Sequence, residues 1–211
     1  MLLFLYSHLV PSERLSVLGL PQDDVISPDA TEVKWDFAQW CQVGTQRFTL
    51  EKSTLGEVLK ALGSGAMTRD GHEGDTNFEW LVRYRWGGQV IVFSSNNEMG
   101  GDTHSLQGVD LRPASEVWDA FWLPRLHGPI SFPFGEPGMS FQALTRELGP
   151  AKLDRDKAEY RYRDTEDLHA RDADGSFLSL DLTGWLRVKV ADGKVTRMTL
   201  SHVTEEWAGA R

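Results

Sequence analysis

Two stretches of the chain carry the same pattern, and few architectures accommodate that. Lys52-Ser-Thr-Leu-Gly-Glu-Val-Leu-Lys-Ala-Leu-Gly63 returns as Gly138-Met-Ser-Phe-Gln-Ala-Leu-Thr-Arg-Glu-Leu-Gly149, followed by Pro150. Thr54 aligns with Ser140, Leu55 with Phe141, Val58 with Leu144, Leu62 with Leu148 and Gly63 with Gly149, all at one offset. Each copy reads as one short helix. A hydroxyl residue caps the start, apolar residues at spacings of three and four share one face, and glycine ends it in a backbone conformation other residues resist.

The segments after the two helices repeat as well. After Gly63 comes a polar loop over 67–77, then a strand in which Phe78, Trp80, Val82, Tyr84 and Trp86 share one face and Glu79, Leu81, Arg83 and Arg85 the other. Gly87-Gly88 predicts a hairpin turn into a strand over 89–94. A long Asn/Gly loop, Ser95 to His104, leads to a third strand over 106–111. After Gly149, Glu159-Tyr-Arg-Tyr-Arg163 again alternates aromatic with arginine, and a loop spans 164–174. Strands are expected at 176–182 and 185–190, then a tight turn at Ala191-Asp-Gly-Lys194, a last strand over 195–201 and a tail from Thr204. Helix, loop, aromatic/Arg strand, turn and two further strands thus occur twice, which implies two copies of one unit.

The pattern Gly138-Met-Ser-Phe-x-x-Leu-x-x-x-Leu-Gly-Pro150, an aromatic strand and then Asp192-Gly-Lys-Val195 resembles the small SmpA/BamE-type envelope domain. The tandem layout resembles the beta-lactamase-inhibitor-protein fold. That resemblance implies an α+β fold of two related units, each with short helices packed on an antiparallel sheet, plus an N-terminal extension. The expected divisions are an extension over 1–45, a first unit over 46–112, an ordered connector over 113–130, a second unit over 131–203 and a tail over 204–211.

Outside the repeats, turn formers dominate 18–29, and Val33, Trp35 and Phe37 alternate as a strand would, until Trp40 and Cys41 break the alternation. In the connector, Pro124 and Pro129 forbid a long helix. Val117, Phe121 and Trp122 are expected on one side of a short helical turn, with the aromatic residues as anchors.

Net charge −9 opposes a nucleic-acid groove, which needs a basic field, and would favour a basic partner. The apolar opening Met1 to Tyr6 is too short for a membrane span and has no charged start of the secretory kind. The expectation is a cytoplasmic chain, or a periplasmic one if an export signal precedes it. Cys41 is the sole cysteine, so no internal disulfide forms, and it reads as a small core residue.

No catalytic set is legible. His72, Glu73 and Asp75 in one loop, and Asp102 and His104 in another, are metal-ligand types without a ligand spacing, so neither a metal nor a cofactor is expected. With helices covering one sheet face, the other would present Arg83, Arg85, Arg161 and Arg163 with Trp185 and Arg187. That is an Arg/Trp stripe suited to binding, unless cross-strand carboxylates such as Glu159 pair with it. The 95–104 loop adds Asn96, Asn97 and Glu98. These nine residues form the expected partner-binding set. The expected function is a non-enzymatic protein-binding module of inhibitor or immunity type. An envelope assembly protein and an uncharacterised hydrolase are the alternatives.

Overall fold

The computed structural model describes residues 29–70, 79–95, 103, 105–171 and 177–209. Both helices stand where the caps place them. In α1 (Leu55–Leu62) the Thr54 hydroxyl accepts from the Glu57 N–H at 3.2 Å, and the Glu57 carboxylate accepts from the Thr54 N–H at 2.9 Å. In α2 (Phe141–Leu148) the Ser140 hydroxyl accepts from the Ala143 N–H at 3.1 Å. Gly63 and Gly149 close them with φ of +87° and +97°.

The strands are β1 (Thr31–Glu32), β2 (Trp40–Val43), β3 (Gln46–Thr49), β4 (Ala66–Asp70), β5 (Glu79–Trp86), β6 (Gln89–Ser95), β7 (Gly108–Pro113), β8 (Ile130–Ser131), β9 (Lys157–Arg171), β10 (Phe177–Ala191) and β11 (Lys194–Gly209). Eight of them form one sheet in the order β1-β9-β10-β11-β7-β6-β5-β4, antiparallel except for the short β1–β9 pair. A smaller sheet has the order β3-β2-β8. The fold is α+β. Helix α1 precedes the meander β4 to β7, and α2 precedes the meander β9 to β11. The meanders meet edge to edge, with Met198 opposite Leu111 and Leu200 opposite Val109.

Alternation along the strands decides the core. Val82, Tyr84, Ile91 and Phe93 from one meander and Tyr160, Leu186, Val188 and Leu200 from the other are buried in a single cluster with Leu55, Val58, Leu144 and Leu148 of the helices. Burying each such side chain stabilises the fold by roughly 1.5–3 kcal/mol. The Asp192-Gly193 turn has φ of +51° and +71°, the paired left-handed geometry that a two-residue hairpin requires.

Several expectations change. Residues 33–37 do not form a strand. Only Thr31–Glu32 pairs with β9, and the chain then bends so that Phe37 and Ala38 are fully buried while Trp35 stays 39 % exposed. Trp40 and Cys41 begin β2 rather than ending a strand, so the expected boundary at 45/46 falls inside the β2–β3 hairpin. The strands expected at 176–182 and 185–190 are one, β10, running straight through Gly184. A Cβ there would lie 2.9 Å from the Ala38 Cβ, so this glycine admits the 33–39 bend against the sheet and does not break the strand. The loop expected from 164 is strand through Arg171, and the tail from Thr204 is strand through Gly209, both extensions of the ladders that β10 makes with β9 and β11. Residues 1–28, 71–78, 96–102, 104, 172–176 and 210–211 lie outside the described residues, and with them the expectations for His72, Glu73, Asp75, Asp102 and His104.

Candidate functional site

The sheet face away from the helices was expected to be open. Over β5 and β6 it is closed. Leu81, Val90 and Val92 point to that side and are buried under Val117, Ala120 and Leu123 of the connector. The reason is local geometry. The connector winds through two short 3-10 turns, Ala114–Glu116 and Ala120–Trp122, tied by successive bonds from Val117, Ala120 and Leu123 N–H to the carbonyls of Ala114, Val117 and Ala120. With three residues per turn, positions three apart stack on one side. Val117, Ala120 and Leu123 therefore anchor the segment, in place of the expected Phe121 and Trp122.

Arg83 lies at this covered boundary, its guanidinium 2.9 Å from both Asp119 carboxylate oxygens and only 16 % exposed. Arg85 lies beside Arg125, joined through backbone bonds of 2.8 Å to Pro124 and Leu126. Over β9 and β10, Arg161 and Arg163 both reach Glu32, and Arg187 meets Glu159 at 2.8 Å. The Arg161 hydrogen bond, assisted by the nearby charges, outweighs burial and holds the Glu32 carboxyl below its usual range. Trp185 lies between Arg161 and Ser201 in register, half-buried. Of the expected stripe, Arg83, Arg161, Arg163 and Arg187 are therefore committed to internal carboxylates. Opposite charges facing across strands are the ordinary way to settle such a surface. Asn96, Asn97 and Glu98 lie outside the described residues.

The feature that sequence reasoning missed sits on the connector. Trp118, Phe121 and Trp122 are 90 %, 71 % and 81 % exposed. Phe121 and Trp122 meet edge to face with centroids 5.2 Å apart. At roughly 150–250 Å² per aromatic side chain, the three present on the order of 400–500 Å² of apolar surface from one short segment. That is the size of the largest apolar patch on a monomer, which is often functional. The three-residue spacing of Val117, Ala120 and Leu123 was the signal that could have revealed it, since the inward row fixes which side chains point out.

Two polar clusters brace the large sheet, one on the connector side and one on the core side. Asp110 and Arg112, 2 % and 3 % exposed at their side chains, form an ion pair. Asp110 also accepts from the Thr199 hydroxyl at 2.6 Å and from Arg197 at 3.4 Å, and Arg197 reaches Glu116 at 3.6 Å. On the core side, the His202 imidazole lies between Asp36 and Glu51, 3.1 Å from each, with its side chain 8 % exposed. Burial alone would lower its pKa, but the two carboxylates outweigh burial and raise it to about 9. Glu51, with φ of +61°, also accepts from the backbone and hydroxyl of Thr204. Both ring nitrogens donate to carboxylates, so this histidine has no lone pair to offer as a general base. The arrangement is an ionic clamp joining the 33–39 bend, the turn before α1 and β11. Cys41 is fully buried, and burial pushes its thiol pKa up, away from the thiolate a nucleophile needs.

Among the described residues, no group of three or more His, Cys, Asp or Glu side chains is arranged to hold a metal ion, and no helix is long and apolar enough to cross a membrane. Compared with protein-family models, curated proteins and solved structures, the chain matches none.

Proposed function

We propose that this chain is a non-enzymatic protein-binding module of inhibitor or immunity type, and that it holds its partner on the connector rather than on an open sheet face. One observation carries the reading: Trp118, Phe121 and Trp122 are presented together to solvent from a segment that is itself firmly anchored. Trp is among the residues most enriched where binding energy concentrates. A pre-anchored segment also loses little entropy on docking. Covering the patch would release roughly 10 kcal/mol at about 25 cal/mol per Å². Association costs about 4–15 kcal/mol, so polar contacts beside the patch must add to the affinity.

The reading includes the tandem architecture by which the chain resembles SmpA/BamE-type and beta-lactamase-inhibitor-protein units. It is supported by two helices with matching caps, each leading into a meander, and by β7 and β11 pairing at the join. In this view the two units form a rigid base, and the segment between them is the binding element.

The test is affinity capture from the native cell with quantitative mass spectrometry, comparing the chain with Trp118→Ala/Trp122→Ala. A specific partner is expected on the unaltered chain and depleted on the order of a hundredfold on the variant, about 1–2 kcal/mol per residue. The two proteins should melt alike, since both side chains are solvated already. Equal recovery of the same partner on both removes the connector as the binding surface.

A further inference from the structure

Resting on the reading of the connector as the binding surface, we infer that the segment it receives is apolar and acidic: hydrophobic side chains on the aromatic patch, with carboxylates on Arg85 and Arg125. Net charge alone pointed the other way, to a basic partner. The charges beside the patch decide otherwise. Asp110 is engaged by Arg112, Asp119 by Arg83 and Glu116 by Arg197. Those pairs balance, and Arg85 and Arg125 are left over. The two residues form an isolated parallel bridge, Arg125 exposed and Arg85 half-buried, and among the described residues neither guanidinium has a hydrogen-bond or ion-pair partner. Arg125 comes three residues after Trp122, with Pro124 bonded to the Arg85 N–H.

Two arginines on bridged backbones, neither paired with an internal acid, can take carboxylates without first giving one up. Arginine suits this role because its planar fork takes a carboxylate through two parallel hydrogen bonds. Beside the connector the carboxylates of Asp110, Glu116 and Asp119 are thus already engaged, while Arg85 and Arg125 remain to receive new ones, on a chain that is acidic as a whole.

The test uses three synthetic peptides with one shared pattern of Leu and Phe, differing only in whether the intervening positions are Glu, Ser or Lys. Binding is read by fluorescence anisotropy. The Glu peptide is expected to bind at least about tenfold more tightly than the Ser peptide, with the Lys peptide weakest. Arg85→Glu/Arg125→Glu, checked for folding by circular dichroism, should reverse the order of the Glu and Lys peptides. Trp118→Ala/Trp122→Ala should weaken all three. A Lys peptide that binds as well as the Glu peptide, an Arg variant with unchanged order, or no binding by any peptide overturns the acidic-segment inference. If instead the Trp variant binds as the parent does, it is the connector reading that fails. Sedimentation of the chain alone is the companion measurement. A dimer abolished by the Trp substitutions would assign the surface to a second copy and overturn the inference.

Discussion

Replacing His202 with alanine is expected to cost about 3–5 kcal/mol, the usual penalty for removing one partner from a buried ionic cluster. Asp36 and Glu51 would then face each other across the space the imidazolium occupied, 16 % and 19 % exposed, without their shared cation. The melting temperature should fall by roughly ten degrees. The pH dependence separates this from mere loss of packing. The folded ring keeps its proton to about pH 9, and the unfolded ring releases it near its ordinary 6.5. The clamp's contribution is therefore complete below about pH 6.5 and is lost as pH rises through about 9, on the order of 3 kcal/mol in all. Glu51, whose pKa is lowered because bonds from His202 and Thr204 outweigh burial, contributes above its ordinary 4.5 and loses that contribution as pH falls through the lowered value. Urea unfolding between pH 6 and 10 should show the alkaline decline in the parent and its disappearance in His202→Ala. A decline of equal size in both would assign it to other groups.

The second large effect concerns Asp110. Asp110→Ala removes the carboxylate that neutralises buried Arg112 and also accepts from Thr199 and Arg197. A loss of about 3–5 kcal/mol is expected. The double variant Asp110→Leu/Arg112→Met should recover most of it, because two apolar groups leave no buried charge to solvate. The coupling is read from a double-mutant cycle by denaturant unfolding. If the double variant is as unstable as the sum of the singles, the two residues act independently and the ion-pair description is wrong. Because Arg197 also links this cluster to Glu116 at the start of the connector, partner capture should weaken along with stability in Asp110→Ala.

The caps and periodicity made α1 and α2 legible from the sequence, as did the Asp192-Gly193 turn, because each depends on interactions within a few residues. Strand alternation placed Val82 and Tyr84 on the core face for the same reason. Three things were not legible. Gly184 read as a break because the neighbour that excludes its Cβ, Ala38, is far away in sequence. Asp36, Glu51 and His202 carried no spacing signal, since three unconnected elements bring them together. The arginines of β5 and β9 read as a free surface because alternation says which face a residue occupies but not what lies over it. The covering segment did carry a signal. A period of three through Val117, Ala120 and Leu123 marks the anchoring row, and with it the outward Trp118 and Phe121.

The most direct test of the proposed binding surface is site-specific photo-crosslinking in the native cell. A benzoylphenylalanine would be placed in turn at Trp118, Phe121 and Trp122, and at Arg163 and Trp185 on the β9–β10 face. One shared heavier adduct is expected from the three connector positions and none from the two sheet positions. Adducts from Arg163 and Trp185 with none from the connector would contradict the connector as binding element and return that role to the sheet.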